Sequence, residues 1–135
     1  MATSKVKYLG DLRTECVHLK SGNSLITDAP TDNNGKGEAF SPTDTVATAL
    51  ASCMITIMGI KANDNGWNIV NTEATVVKVM ASNPRRISEI DIKLCVSGVA
   101  NDEKAQKILR NAALTCPVAN SLSKEVNQKV SFEFV

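Results

Sequence analysis

One histidine, His18, and no C-x-x-C pair occur in this chain of 135 residues. A zinc site would therefore need ligands drawn from an unusual spread of positions. Charge of one sign is also missing: the formal net charge is +1, which supplies no field for nucleic acid or an acidic membrane surface. Gly35 and Gly37 lack the Lys-Ser/Thr tail of a phosphate loop, which leaves them as loop flexibility. The start, MATSKVKYLG, has neither the apolar core of a secretory signal nor an Arg-rich transit pattern, so the expected location is cytoplasmic. The longest uncharged run, Thr45 to Ile60, falls short of the roughly 18 apolar residues that suggest a membrane span. It reads as a buried helix.

The composition that remains, 43% hydrophobic and 21% charged, is that of an ordinary globular protein, and the length fits one domain over 1–135. Residues 4–28 alternate loosely around two turn signals, LGD and KSGNS, and predict a β-meander. A loop rich in Asp, Asn and Gly covers 29–40, and a loop that long in a small domain is more often functional than idle. Ser41, Pro42 and Asp44 mark a helix start with an S-x-x-D capping box, and Gly66 marks its end, giving a helix over 42–65. Two strands around NPRR form a hairpin over 67–99, in which Ile90, Ile92, Leu94 and Val96 share one face and Cys95 points to the other. Helices follow over 102–126, interrupted at Pro117, and a final strand over 129–135 carries Val130, Phe132 and Phe134 on one face. The class is α+β.

Four cysteines, Cys16, Cys53, Cys95 and Cys116, in a chain without a secretory pattern argue against a structural disulfide framework. Steps of three and four from Cys53 reach Val46, Ala49, Leu50, Ile57 and Ile60, so it is expected to face packed neighbours. Cys116 ends the stripe Ala105, Ile108, Leu109, Ala112, Cys116 and also stands just before Pro117, at the start of a further helix. Two apolar helices in one layer usually touch, which makes Cys53 and Cys116 the pair expected to meet. Cys16 and Cys95, on strands, read as bystanders. Buried free cysteine also behaves as a small hydrophobe, so plain packing is the competing reading.

A reactive thiol needs its thiolate stabilised, and the candidate cations are Arg13, Lys36, Arg85 and Arg86. The pair at 85–86 sits in a turn and reads as solvated. Arg13 opens a strand and is either an exposed strand-edge charge or the site cation. His18 has no evident Ser or Asp partner and reads as an ordinary histidine. The residues alone leave open which sulfur attacks first.

Taken together, FSPTDTVATALASCMITIMGI (40–60), TCPVANSL (115–122) and the order of elements resemble the OsmC/Ohr family of thiol peroxidases over nearly the whole chain. The resemblance implies antiparallel sheets packed around two long cysteine-bearing helices in an intertwined homodimer, with active sites at the subunit interface. It implies reduction of organic hydroperoxides or hydrogen peroxide, in oxidative-stress defence, without cofactor or metal. Cys53 would attack the peroxide and become a sulfenic acid. Cys116 would condense with it to a disulfide, and a dithiol reductant such as a lipoylated protein would reopen it. Val46, Leu50, Met54 and Ile57 would form an apolar peroxide pocket, with Arg13 the cation that offsets desolvation of the thiol. The carboxylate that holds the arginine in the organic-peroxide branch follows Asn-Pro. Here the start is Ser41-Pro42-Thr43-Asp44, so Asp44 is either that carboxylate or the capping-box residue. The alternative function is a redox-sensing or interaction dimer with negligible turnover.

Overall fold

The computed structural model describes all 135 residues and divides into two compact units, residues 1–46 and 47–135. In the first, strands β1 (Ser4–Gly10), β2 (Arg13–His18) and β3 (Ser24–Asp28) form an antiparallel sheet in the order β1-β2-β3. The LGD turn uses positive φ at Gly10, Asp11 and Leu12. KSGNS closes through the Gly22 N–H to His18 carbonyl bond of 2.8 Å. The loop that follows is stitched to itself: the Gly35 and Gly37 N–H groups donate to the carbonyls of Pro30 (2.9 Å) and Ala29 (3.1 Å). A Cβ at Gly35 would collide with the Ala29 carbonyl, so the closure requires glycine there.

Helix α1 (Pro42–Asn65) begins at the end of this unit and runs through the second. It stops at Gly66, whose φ of +71° starts a Schellman motif. The Trp67 N–H bonds back to the Ala62 carbonyl at 2.9 Å and the Gly66 N–H to that of Asn63 at 3.4 Å. β4 (Glu73–Ala81) and β5 (Arg86–Val96) make the hairpin, and Arg86 ties its turn by donating to the carbonyls of Ser82 and Pro84. α2 (Glu103–Leu114), capped by the Asp102 side chain on the Ala105 N–H, and α3 (Pro117–Ser121) lead to β6 (Asn127–Phe134).

The sheet order is β4-β5-β6, and β6 runs parallel to β5. The expectation of wholly antiparallel sheets is therefore corrected. A chain leaving β5 and passing through two helices makes a crossover, which returns its next strand in the same direction. Inside the unit, Ile90, Ile92, Leu94 and Val96 are buried on the inner face of β5, and Leu109, Ala112 and Ala113 of α2 close over them in the same apolar cluster.

From α1 that core takes Ala47, Leu50, Ala51, Met54, Met58 and Ala62. This corrects the expected face: Val46, Ala49 and Ile60 are exposed, and Cys53 and Ile57 lie half-buried along the flank. The reading of the Thr45 to Ile60 run as a wholly buried helix changes with it. By length and composition alone α1 is apolar enough to cross a membrane, yet one of its sides is built into a protein core. Replacing Leu94 with Ala should cost about 2–5 kcal/mol in chemical denaturation. Cys95→Ala, on the opposite face, should cost less than about 1 kcal/mol. Equal losses would contradict the facing of β5.

Candidate functional site

The second unit holds both candidate thiols in one apolar cluster, Cys116 inside it and Cys53 packed against it. Cys53 reaches the flank of α1 through the spacing just described and is half-buried. Cys116 is not the last residue of α2, as its place in the apolar stripe suggested. α2 ends at Leu114, and Cys116 is the N-cap of α3, with Pro117 at the first helical position. Proline lacks the N–H that would continue the preceding helix and fits the first turn of the next, so the break falls there. Cys116 has no exposed surface. Its Sγ accepts the Ala119 N–H at 3.4 Å, and Cys53 packs against the buried cluster to which Cys116 belongs, near enough to act on the ionisation of its thiol. All four cysteines are free thiols.

Burial pushes the Cys116 thiol above its usual range, and the neighbouring Cys53 sulfur pushes it the same way, against the opposing N–H groups of Ala119 and Val118. A raised thiol favours the neutral form in the folded state. Its contribution to stability is complete below the ordinary thiol pKa and is lost as the pH rises through the folded value. Of the residues expected to line a peroxide pocket, Leu50 and Met54 are fully buried in the core, Val46 is exposed and Ile57 is half-buried. Cys95 is half-buried on the outer face of β5, and the Cys16 sulfur on β2 lies 3.8 Å from the Thr14 hydroxyl.

Arg13 and Asp44 belong to the first unit. β2 is the central strand of its sheet, so Arg13 is not a strand-edge charge. Its Nε and one Nη donate to the two oxygens of Asp28, at 2.7 and 2.9 Å, and Glu38 lies 3.6 Å from the same Nη. The Asp28 side chain is fully buried and also accepts the Glu38 N–H at 3.1 Å. Where the resemblance implied Asp44 as the carboxylate holding the arginine, the bidentate partner is Asp28. Asp44 makes the capping box: its carboxylate accepts the Ser41 N–H, and its own N–H donates to the Ser41 hydroxyl, both at 3.0 Å.

Asp28 escaped the reading of the sequence, although it carries a signal. Mirroring the two strands about the KSGNS turn pairs Thr14 with Thr27 and Arg13 with Asp28, opposite charges directly across a ladder. Lys36 pairs loosely with Asp11 at 3.9 Å. His18, read as lacking a partner, has its Nδ1 2.6 Å from the Ser21 hydroxyl on an exposed turn.

Known proteins share the fold that carries these residues. Residues 35–131 match the family model described as OsmC-like protein. A crystal structure from Psychrobacter arcticus 273-4, provisionally described as an osmotic stress induced and detoxification response protein, is 58% identical. The match covers 98% of this chain and 96% of that one, with a TM-score of 0.94. An OsmC-like protein from Mycoplasma pneumoniae shares the fold at 15% identity (98% and 95% covered, TM-score 0.81). So does an organic hydroperoxide resistance protein from Legionella pneumophila at 18% (98% of each, TM-score 0.71). No curated protein matches the chain.

The Asp28 carboxyl is held below its usual range, chiefly by the hydrogen bonds from Arg13 and in opposition to burial. A depressed carboxyl adds stability above the unfolded carboxyl value of about 3.9 and loses it as the pH falls through the folded one. The carboxyl 13C shift of Asp28 should therefore titrate below about pH 3.9, and in Arg13→Ala its midpoint should rise. A midpoint unmoved by that change would contradict the pairing.

Proposed function

Because the chain belongs to the OsmC-like protein family, we propose that it is a thiol-dependent peroxidase acting on organic hydroperoxides or hydrogen peroxide. One observation carries the reading: a half-buried thiol, Cys53, packs against the buried cluster that holds a second, fully buried thiol, Cys116. Such a pair divides the work by access. The Cys53 sulfur can meet a peroxide, whereas Cys116 has no surface to offer one and is held as the neutral thiol by burial.

In the first step the Cys53 thiolate attacks a peroxide oxygen. The S–O bond forms as the O–O bond breaks, and the departing alkoxide is protonated to the alcohol. The Cys116 sulfur then attacks that of Cys53. An S–S bond forms, hydroxide leaves from the sulfenic acid, and protonation gives water. Condensation with a neighbouring thiol protects the sulfenic acid from irreversible over-oxidation. A dithiol, such as the reduced lipoyl group of a protein, restores both thiols by exchange.

Arg13 is the proposed cation for the Cys53 thiolate, oriented by Asp28. Asp44 fixes the start of the helix that carries the nucleophile. A homodimer is supported by apolar surface left open: Val46 and Ile60 on α1 are 37% and 51% exposed, and Val6, Tyr8 and Phe40 of the first unit are exposed as well. A cytoplasmic setting with no nucleic-acid or membrane partner completes the proposal.

One equivalent of cumene hydroperoxide followed by non-reducing peptide mapping should give a Cys53–Cys116 crosslink. Cys53→Ser should abolish turnover, and Cys116→Ser should stop after a single oxidation. Free thiols at both positions after peroxide would overturn the reading. A crosslink that forms slowly but changes partner binding would point to a redox sensor.

A further inference from the structure

We propose that Gln128 is a positioning residue for the buried thiol: its side-chain amide holds Ala119, whose N–H donates to the Cys116 sulfur, and so sets how readily Cys116 gives up its proton. The positioning belongs to the reduced protein. Only its consequence for disulfide formation rests on the peroxidase reading.

The place of Gln128 in its strand is the first observation. On β6 the residues Gln128, Val130, Phe132 and Phe134 are the half-buried ones, and their ladder partners are Ile90, Ile92, Leu94 and Val96 of the buried face of β5. Gln128 is the polar member of an otherwise apolar row. An amide turned inward there is destabilising unless a partner satisfies it.

The partner is the second observation. Gln128 Nε2 donates to the Ala119 carbonyl at 3.1 Å. α3 is five residues long and ends at Ser121, so the Ala119 carbonyl is among the last ones, which no N–H of the helix can reach. The N–H of the same residue donates to Cys116 Sγ at 3.4 Å. Ala119 is thereby held at both of its polar backbone atoms, one by the strand and one against the sulfur.

A helix of one turn has little stability of its own, so the aim of that N–H is set by what grips the segment from outside. Asn120 closes the turn around Cys116 through the carbonyls of Thr115 (3.2 Å) and Cys116 (3.1 Å), but the grip on Ala119 comes from Gln128. Burial disfavours the Cys116 thiolate, and the Ala119 N–H opposes that effect. In disulfide formation the Cys116 proton leaves as its sulfur bonds to that of Cys53, and it joins the departing hydroxide as water. A donor kept in line with Sγ lowers the cost of that loss. Gln128 acts through Ala119 and not on the reacting atoms.

Gln128→Met keeps the length of the side chain and removes its donor. Val130→Ala loosens the same face of β6 and leaves the Ala119 bond in place. The test is the titration of the Cys116 13Cβ resonance in the reduced proteins, whose midpoint should rise in Gln128→Met and hold its wild-type value in Val130→Ala. A midpoint unmoved by Gln128→Met, or moved equally by both, would overturn the proposal. A second readout needs no variant to fold: in the wild-type protein the Gln128 side-chain amide shifts should move with the Cys116 midpoint, and a flat response would reject the coupling. With one equivalent of cumene hydroperoxide, Cys53 in Gln128→Met should be oxidised at the wild-type rate while disulfide formation slows about three- to tenfold. Disulfide formation at the wild-type rate would also reject the proposal. A wild-type Cys53 that is not oxidised at all would instead remove the peroxidase reading, with the two titrations still deciding the role of Gln128.

Discussion

The pairing of Cys116 with Cys53 in the proposed site depends on a break in the helical layer at Pro117. Had α2 continued, residue 116 would be one more position on a regular helix, its sulfur without backbone donors. Because proline ends that run and opens the next, Cys116 becomes a cap, and the Ala119 amide of α3 donates to its sulfur at 3.4 Å. The break is held from the other side as well. Gln128 of β6 donates to the Ala119 carbonyl at 3.1 Å, and Arg110 of α2 lies over the rings of Phe132 and Phe134, at 5.7 and 4.9 Å. The parallel β6 strand thereby anchors the segment that presents the buried thiol.

Electrostatics in the first unit follow the same economy of parts. Arg13 is fixed by a carboxylate that has no surface of its own, and the loop that supplies Glu38 is closed by glycine at position 35. A guanidinium pinned through two nitrogens has little freedom left, and such a group loses less entropy in meeting an anion than a free surface lysine does. Asp44 works locally, fixing where α1 begins.

Much of this was legible in the sequence, and the misses have physical causes. The ends of α1 were written in Ser41-Pro42 and Gly66, and the facing of β5 in its strict alternation. The buried side of α1 was not readable, because apolar side chains occupy every side of the helix between Val46 and Ile60 and no single stripe stands out. In α2, where lysines and an arginine mark the outside, the stripe was clear. The direction of β6 was available from the two helices that precede it but was overridden by the habit of hairpins. Asp28 was hidden in a loop-like composition, although strand register put it opposite Arg13.

The central claim is that the two sulfurs are packed for reaction with each other. Its most direct measure is competition: oxidise the reduced protein with one equivalent of peroxide in the presence of dimedone, and quantify by mass spectrometry what becomes of Cys53. The account predicts that the Cys53–Cys116 disulfide forms ahead of capture, with the dimedone adduct prominent only when Cys116 is replaced by serine. Full dimedone capture at Cys53 in the wild-type protein, with no disulfide, would contradict it.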